Sequence, residues 1–360
     1  MRFVFLPSST VPIHANCLEE RPLGGTETGI VRLTAALSNL GHDVTVLTQL
    51  KNPPLSKPLY VPMSQVSDIT DTDVLVVIRE WRNIFCGMRT KARLFWSGEA
   101  SDQPHTFGLG DKRIADKIDA FLAVSTWQAD SMSSASGFPR RKMCIIKNGV
   151  HTRYFSGDEP RNPKRLIYSS TPYRGLEHLL RLFPRIKQQV PDAQLAIFSG
   201  YDVYSETAGG VPFGYDQAVR DLERMKREFA AIPGVTYRGS IKQSELAREF
   251  KRSAVLAYPN TFAETSCITA LEAQYAGCVP VTTDLGALAE TIGEGGIVIG
   301  GKPGTGEYDT QFVSAVVKLL NDPAVCQDLS QKALANAAEA DWEFVAKRLL
   351  HFLAQRGLTG

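Results

Sequence analysis

Short runs of apolar residues alternate with helical patterns through the first half of the chain. The runs Phe3–Leu6 and Val44–Leu47 predict buried strands, and between them Thr26–Leu40 places apolar residues at helical spacing before a helix stop at Gly41. This strand–helix–strand unit, when repeated, predicts a parallel sheet with helices on both faces. The other strands predicted in this half are Val74–Ile78, Leu94–Trp96, Ala120–Val124 and Cys144–Ile146.

The pattern stops at Ser156–Lys164, a polar segment with two prolines that predicts an interdomain linker. The alternation then begins again and predicts a second α/β domain. Its predicted strands are Leu166–Tyr168, Leu195–Phe198, Val235–Tyr237, Val255–Tyr258, Val279–Thr282 and Gly296–Ile299. Its predicted helices are Leu176–Gln189, Ala218–Phe229, Ser244–Lys251, Ile268–Tyr275 and Thr310–Leu320. A loop is predicted at Thr207–Tyr215 and a helical tail at Ala324–Arg356.

The length of the chain, 360 residues, exceeds the range in which one hydrophobic core keeps growing, so we expect two domains, 1–158 and 159–340. The net charge is only +2, which gives no case for a nucleic-acid partner. The six cysteines have no metal-ligand spacing, and no apolar run approaches the ~18 residues that cross a membrane. We therefore expect a cytoplasmic protein with reduced thiols, and peripheral contact with a membrane surface stays open.

A glycine-rich segment, Gly24–Gly29, lies between the first predicted strand and the first long helix. Glycine lets backbone N–H groups approach a ligand closely, and a helix N-terminus favours anions. The spacing matches neither the dinucleotide fingerprint nor the P-loop. Two interpretations therefore stay open: an anion-binding loop at Gly24 and Gly25, or a tight turn capped by Thr26.

Two glutamates bracket the start of the helix predicted at Ile268–Tyr275. Glu264 lies in the polar loop before the helix, and Glu272 lies roughly 8–9 Å along it. The small residues at the helix mouth leave backbone N–H groups open to a phosphate or a sugar hydroxyl, and carboxylates accept hydrogen bonds from hydroxyl pairs. On spacing alone, however, a helix cap at Glu264 and a solvated side chain at Glu272 are favoured.

Basic residues offer two further candidate sites. Arg174 lies in the loop Ser169–Gly175 of the second domain, where its fork can clamp a diphosphate or simply face solvent. In the first domain, a basic cluster either meets a lipid-linked diphosphate acceptor or an anionic membrane, or forms a solvated helix face. The cluster consists of Arg79, Arg82, Arg89, Lys91 and Arg93.

Together these segments resemble glycosyltransferase family 4 of the GT-B fold. The strongest match runs from Phe262 to Val281, where Glu264 and Glu272 form the family's E-x7-E motif and a Gly-Cys-Val-Pro-Val turn follows. Further landmarks occur in the family's order, so the resemblance covers essentially the whole chain. They are Gly24–Gly29, Gly41–Val44, Val124–Trp127 and Lys147–Val150.

The resemblance implies an α/β chain with two Rossmann-like domains facing a cleft, and a C-terminal helix at 341–360 that crosses back to the first domain. It implies transfer of a sugar from a nucleoside diphosphate sugar, with retention of configuration and without a metal or other cofactor. The acceptor is expected to enter on the face that the phosphate leaves, and the leaving phosphate to take the acceptor proton.

The resemblance also implies roles for individual residues. By similarity, Glu264 faces the sugar hydroxyls, Glu272 faces the ribose, and Arg174 takes the place of the family's diphosphate lysine. Glu264 and Arg174 are therefore the expected catalytic residues. The remaining donor-binding positions implied by the family are Gly24, Gly25, Ser169, Ser170, Ile241 beside the base, and the helix-mouth residues Thr265, Ser266, Cys267 and Ile268.

Two departures from the family pattern affect the expected site. Ser169 stands where the family usually has an arginine, so another basic side chain would have to supply that charge. The candidates are Arg79, Arg82 and Arg153. The place of a histidine common after the fourth strand holds Gly98 or Glu99, and His105 comes later. His105 is thus either a third catalytic residue, in contact with the sugar, or a loop histidine.

UDP-glucose is the first choice of donor, because UDP-sugars are common in the family, and GDP-mannose is the second. The expected acceptor is a saccharide or a lipid-linked molecule of polysaccharide or envelope biosynthesis at the inner membrane surface. The segment Ser169–Gly175 is similar to bacterial polysaccharide-pathway members, cyanobacterial exopolysaccharide glucosyltransferases among them. The alternatives are a sugar-nucleotide epimerase or phosphorylase of the same fold, and a non-catalytic sugar-nucleotide binder, which Ser169 suggests.

Overall fold

The first domain is built on a seven-stranded parallel sheet in the order β3-β2-β1-β4-β5-β6-β7. The computed structural model describes residues 1–9, 11–202 and 214–358. The strands are β1 Arg2–Pro7, β2 Asp43–Thr48, β3 Leu59–Pro62, β4 Asp71–Ile78, β5 Arg89–Ser97, β6 Ala120–Ala123 and β7 Met143–Ile145. Because β1 lies between β2 and β4, the strand order reverses beside β1, and a crevice opens there at the carboxyl ends of the strands.

The second domain repeats this plan with a six-stranded parallel sheet in the order β10-β9-β8-β11-β12-β13. The strands are β8 Asn162–Ser169, β9 Gln194–Phe198, β10 Val235–Tyr237, β11 Ser253–Tyr258, β12 Val279–Thr283 and β13 Ile297–Ile299. Here the reversal lies between β8 and β11, whose following loops carry the sequence motifs of the second domain. The predicted pair of parallel-sheet α/β domains is confirmed.

Helices cover both sheets. In the first domain they are α1 Cys17–Glu20, α2 Gly25–Asn39, α3 Lys112–Ala115 and α4 Thr126–Ser136. In the second domain they are α5 Leu176–Gln189, α6 Tyr215–Phe229, α7 Gln243–Arg252, α8 Ile268–Tyr275, α9 Leu288–Ile292, α10 Gly306–Asn321 and α11 Pro323–Ala337. The last helix, α12, runs from Trp342 to Gln355. Within the described part of the chain, no helix has the length and apolar character needed to span a membrane.

The C-terminal helix does return to the first domain. The apolar side chains of α12 are buried in the core that α2 and the first sheet share, and Thr152 donates a 2.6 Å hydrogen bond to Asp341 where the chain crosses. Trp342 packs so closely on Gly149 that a Cβ there would lie 2.7 Å from its ring. This contact explains the glycine in the segment Lys147–Val150.

Several predicted boundaries are wrong. The tail predicted as one helical stretch is two helices, α11 and α12, and the predicted linker ends earlier because Asn162–Lys164 belongs to β8. Strand β3 and helix α4 were not predicted. Of the loop predicted at Thr207–Tyr215, residues 207–213 lie outside the described residues, and α6 begins at its last residue.

Candidate functional site

An interdomain cleft of about 350 Å³ lies between the carboxyl ends of the two sheets. Its floor is the loops that follow β1 and β4 on one side and β8 and β11 on the other. All the donor-binding positions expected from the sequence line this cleft. They are Gly24, Gly25, Ser169, Ser170, Arg174, Ile241, Glu264, Thr265, Ser266, Cys267, Ile268 and Glu272. The structure thus brings them together, and their roles stay predictions.

The amino end of α8 opens into the cleft. Its N-cap residue, Cys267, is buried, and no side chain of the described residues caps the terminus. Glu264 is therefore not the helix cap that its spacing favoured. Across the cleft, a Cβ on Gly25 would lie 3.5 Å from the Ile268 side chain, so the glycine-rich loop of the first domain contacts this terminus. The α8 terminus can thus present free N–H groups to an anion in the cleft.

Glu264 is held by two donors from its own domain. Its Oε1 accepts a 2.8 Å bond from Arg174 Nη1 and a 2.7 Å bond from the Tyr258 hydroxyl, and its side chain is 7% exposed. The backbone carbonyl of Glu264 is fixed by Ala287 N at 2.6 Å. A Cβ on Gly286, whose φ is +67°, would lie 2.4 Å from that carbonyl, so only glycine allows this approach.

Arg174 is correspondingly confined. Its guanidinium lies 4.2 Å from the centre of the Phe262 ring and 5.5 Å from that of Tyr173. Burial opposes its charge most strongly, but the Glu264 carboxylate together with Tyr258 and Tyr173 outweighs burial, so the pKa of Arg174 is raised further above its ordinary value. Arg174 is not the solvated surface residue of the alternative interpretation; it is a fixed cation at the cleft.

Glu272 lies deeper along α8 and is almost fully buried, at 4% exposure. The solvated position favoured by spacing alone is therefore wrong. Burial raises its pKa from 4.5 to about 7, against the effect of a hydrogen bond from Gln243 Nε2 at 2.5 Å. A buried carboxylate with a single amide donor retains acceptor capacity toward a ligand in the cleft.

The glycine-rich loop is not capped by Thr26. Helix α2 begins at Gly25, with Gly24 as its N-cap residue. Glu27 in the first turn is buried and accepts a 2.6 Å bond from the Ser9 hydroxyl. The loop therefore lines the cleft with its backbone. The nearby Glu27 carboxylate is already hydrogen-bonded within the first domain.

Comparison with known proteins matches the second domain to one protein family. Residues 163–322 match the family model described as Glycosyl transferases group 1. The second domain is a glycosyl transferase group 1 domain. A D-inositol 3-phosphate glycosyltransferase from Pseudarthrobacter chlorophenolicus is 25% identical over 272 residues, which are 72% of this chain and 60% of that protein. The match spans 56–63% of the length of the D-inositol 3-phosphate glycosyltransferases that this chain resembles.

Solved structures show the same fold along the whole chain. The sucrose-phosphate synthase of Thermosynechococcus elongatus superposes with a TM-score of 0.71 at 16% identity and full coverage of both chains. HepE of Anabaena in complex with UDP-glucose gives a TM-score of 0.70 at 14% identity, covering 99% of this chain and 100% of that one. The predicted GT-B fold is confirmed.

His105 does not reach the cleft, so its expected contact with a sugar is corrected. The short turn Pro104–Thr106 directs it to the surface, where its side chain is 46% exposed and Nδ1 lies 3.6 Å from Glu80 Oε2.

Of the basic side chains considered in place of Ser169, only Arg79 lines the cleft. Arg82 pairs with Glu80 on the surface, with 57% of its side chain exposed.

Arg153 is exposed and lines a separate cavity beside the start of α12 rather than the interdomain cleft. The basic cluster predicted in the first domain is not one surface either. Arg89 and Lys91 lie at the amino end of β5, whereas Arg79 follows the carboxyl end of β4. These ends are on the order of 20 Å apart along the sheet, so the residues cannot bind one acceptor group together.

Arg79 has a feature that no sequence pattern indicated. It is the one non-glycine residue with a positive φ among the described residues, at +69°. Its Nε donates a 2.6 Å bond to Glu99, and its terminal nitrogen lies 3.5 Å from the Thr26 hydroxyl at the start of α2. Strained backbone that persists at a cleft is typical of functional positions. Arg79 thus places a second cation on the first-domain wall.

The two domains also contact each other at the rim of the cleft. The Thr265 hydroxyl donates a 2.5 Å bond to Gly98 O, and the Glu290 carboxylate accepts from the backbone N–H groups of Thr126 and Trp127 at 3.1 and 3.0 Å. Burial opposes the charge of Glu290, but these donors and Lys147 hold its pKa below the usual value. The family-like segments around Trp127 and Lys147 therefore serve as domain contacts.

Sequence reasoning missed three groups of the site. The Gln243 amide and the Glu27 carboxylate line the cleft, and the buried Tyr258 hydroxyl donates to Glu264. Glu27 falls inside the glycine-rich motif and Gln243 follows Ile241 closely, so proximity to known motifs was the only available signal. Within the described ranges, no group of three or more histidine, cysteine or acidic side chains is arranged to hold a metal ion.

Proposed function

We propose that this protein is a retaining hexosyltransferase that needs no metal and moves glucose from UDP-glucose to a saccharide or lipid-linked acceptor. The observation that carries the proposal is the convergence, in one interdomain cleft, of the uncapped amino end of α8, the Arg174–Glu264 pair and the buried Glu272. The volume of the cleft suits a ligand of this size. HepE, which has the same fold, is known in complex with UDP-glucose, and this supports the choice of donor.

The diphosphate of the donor is assigned to the mouth of α8, beside Arg174. Backbone N–H groups and the positive end of the helix dipole favour an anion there, and the planar guanidinium can bind two phosphate oxygens. Arg79 supplies the second positive charge that Ser169 lacks. As the anomeric C–O bond breaks, negative charge grows on the leaving diphosphate, where these fixed groups stabilise it.

The two glutamates hold the neutral parts of the donor. Glu264, beside Arg174, accepts hydrogen bonds from sugar hydroxyls, and Glu272, one to two turns further into α8, accepts them from the ribose. Ile241, near the start of α7, lies against the base. Neither glutamate acts as a nucleophile in this proposal.

Retention then follows from a front-face reaction. The acceptor oxygen forms its bond to the anomeric carbon on the face from which the phosphate oxygen leaves, and the acceptor proton passes to that phosphate oxygen. The developing positive charge on the sugar is stabilised by the departing anion itself. The reaction is proposed to take place in the cytoplasm, at or near the inner membrane surface, in bacterial polysaccharide or envelope synthesis.

A direct test measures release of nucleoside diphosphate from UDP-glucose with and without cell-derived saccharide and lipid-linked acceptors. Release that depends on an acceptor and yields an α-linked product supports a retaining transferase. Interconversion of the sugar without net transfer to an acceptor indicates an epimerase. Formation of a sugar phosphate from a disaccharide and inorganic phosphate, with no nucleoside diphosphate released, indicates a phosphorylase. Donor binding without turnover above background indicates a non-catalytic binder. The donor itself is identified by a separate thermal-shift screen of nucleotide sugars that includes GDP-mannose.

A further inference from the structure

Glu272 is attached to the first domain through two side chains. Gln243, the first residue of α7, donates from Nε2 to Glu272 Oε1 at 2.5 Å. The terminal nitrogen of Arg32, on α2 of the first domain, lies 3.5 Å from Gln243 Oε1. Gln243 and Glu272 line the interdomain cleft, whereas Arg32 lies behind them with 11% of its side chain exposed. A chain of polar contacts therefore runs from α2 to the candidate donor site.

Arg32 is fixed by two other partners, Tyr154 and Glu19. The same terminal nitrogen donates to the Tyr154 hydroxyl, lies 3.5 Å from Glu19 Oε1, and belongs to a guanidinium 5.0 Å from the centre of the Tyr154 ring. Tyr154 in turn donates to Glu19. The position of Arg32 is therefore set independently of Gln243, so Arg32 can orient the amide rather than follow it.

An amide has one oxygen that only accepts and one nitrogen that only donates. With the cation of Arg32 on its oxygen side, the Gln243 amide can present only its N–H₂ group to Glu272. That donor occupies Oε1 of Glu272 and leaves Oε2 with its lone pairs for a ligand. The carboxylate is thereby held in one rotation about its side chain, which is largely buried.

We propose that Gln243 is a positioning residue, oriented by Arg32, that holds the Glu272 carboxylate in place to select a ribose hydroxyl of the donor. The inference rests on the proposed function, because it assumes that the cleft binds a nucleoside diphosphate. The competing explanation is that Gln243 only satisfies a buried acceptor and stabilises the fold. The two explanations differ in one observable: only the first makes discrimination between ribose and deoxyribose depend on Gln243.

The experiment measures the affinity of the full chain for UDP and for 2′-deoxy-UDP and 3′-deoxy-UDP by calorimetry. The wild-type protein is expected to prefer UDP over at least one deoxy analogue by about tenfold, the value of one hydrogen bond to a charged group. Gln243→Met, which keeps the length of the side chain without its amide, is expected to reduce that preference to about threefold or less. Arg32→Met is expected to shift it in the same direction.

The control is Gln311→Met on α10, because Gln311 also donates to a glutamate, Glu307, at 3.3 Å, but on the exposed surface of the same domain. It is expected to keep the wild-type preference. Gln243→Glu provides a second variant of the same shape, which places a carboxyl group against Glu272 and is expected to lose the preference as well. Melting temperatures of all variants separate loss of selection from loss of folding.

A wild-type preference that persists in folded Gln243→Met and Gln243→Glu overturns the inference and leaves the proposed function standing. A preference that persists in Arg32→Met alone overturns the part assigned to Arg32. Failure of the wild-type protein to bind UDP, GDP or ADP overturns the proposed function, and the inference with it.

Discussion

Replacing Glu264 tests both the stability and the chemistry of the cleft. Glu264→Ala removes the carboxylate oxygen that accepts from Arg174 at 2.8 Å and from Tyr258 at 2.7 Å. Arg174 then keeps its aromatic neighbours, of which the Phe262 ring at 4.2 Å is the nearer. It loses its ion pair with Glu264. The variant therefore leaves a largely buried cation without a counter-charge.

The size of the effect follows from these contacts. Truncating one partner of a fully buried ion pair costs about 3–5 kcal/mol. The Arg174 side chain retains 23% exposure and a cation–π contact, so water and the ring recover part of that loss. We expect a net destabilisation of about 2 kcal/mol, which corresponds to a fall in melting temperature of about 4–8 °C for a domain of this size.

A double-mutant cycle measures the pair directly by thermal or urea unfolding. Arg174→Met removes the orphaned cation, so Glu264→Ala combined with Arg174→Met is expected to be less destabilised than the sum of the single variants by more than about 1 kcal/mol. Glu264→Gln keeps an acceptor for Arg174 and Tyr258 and is expected to unfold within about 1 kcal/mol of wild type. Strict additivity, or wild-type stability of Glu264→Ala, would refute the electrostatic account of this site.

The same variants report on catalysis. Loss of two hydrogen bonds from sugar hydroxyls to a carboxylate corresponds to a fall of about 100-fold or more in kcat/KM for Glu264→Ala. Glu264→Gln retains one acceptor and is expected to be intermediate. The melting data identify any contribution from unfolding, and a folded Glu264→Ala with wild-type turnover would show that Glu264 does not belong to the donor site.

Three further predictions concern charge. Burial raises the pKa of Glu272 from 4.5 to about 7, so the folded state binds the extra proton between these values, and the free energy of unfolding is expected to fall as pH rises from 5 to 8. Melting curves should lose most of that slope in Glu272→Gln, and an unchanged slope would assign it to other groups. Arg79→Gln is expected to weaken UDP-glucose binding about tenfold while Arg82→Gln leaves it unchanged; equal affinities in calorimetry would remove Arg79 from the donor site. Activity is expected to survive chelating agents, and a loss that added divalent metal restores would contradict a metal-free reaction.

The fold was predictable wherever one local pattern decided the element. Helices α5 and α8 match their predicted bounds because apolar periodicity and flanking turns agree. Strand β3 was missed although its residues are apolar, because the run is only four residues long, ends at Pro62 and follows Pro58. Helix α4 was not predicted because its sequence is rich in serine. Its buried residues are Gln128, Ala129 and Met132, and these form too narrow an apolar stripe to show a helical period.

The candidate site was predictable as far as its residues lie in motifs of consecutive sequence. The interactions between motifs were not, because they depend on how far separated segments meet. The 29-residue separation of Gln243 and Glu272 carries no sequence signal, and the left-handed backbone of Arg79 has none either. His105 was misplaced because the turn that contains it faces Glu80 rather than the cleft.

The charges of the cleft favour the proposed ligand, a nucleoside diphosphate sugar, over a simple anion. Each arginine of the cleft already faces a carboxylate, Arg174 with Glu264 and Arg79 with Glu99. A phosphate alone would take an arginine and leave a buried carboxylate without its counter-charge, which costs free energy. A nucleoside diphosphate sugar offers phosphate oxygens to the arginines and hydroxyl donors to the carboxylates within one molecule, so every buried charge exchanges one partner for another. The Arg174–Glu264 ion pair joins two sequence motifs. It is compatible with donor binding, because the donor offers phosphate oxygens to Arg174 and hydroxyl groups to Glu264.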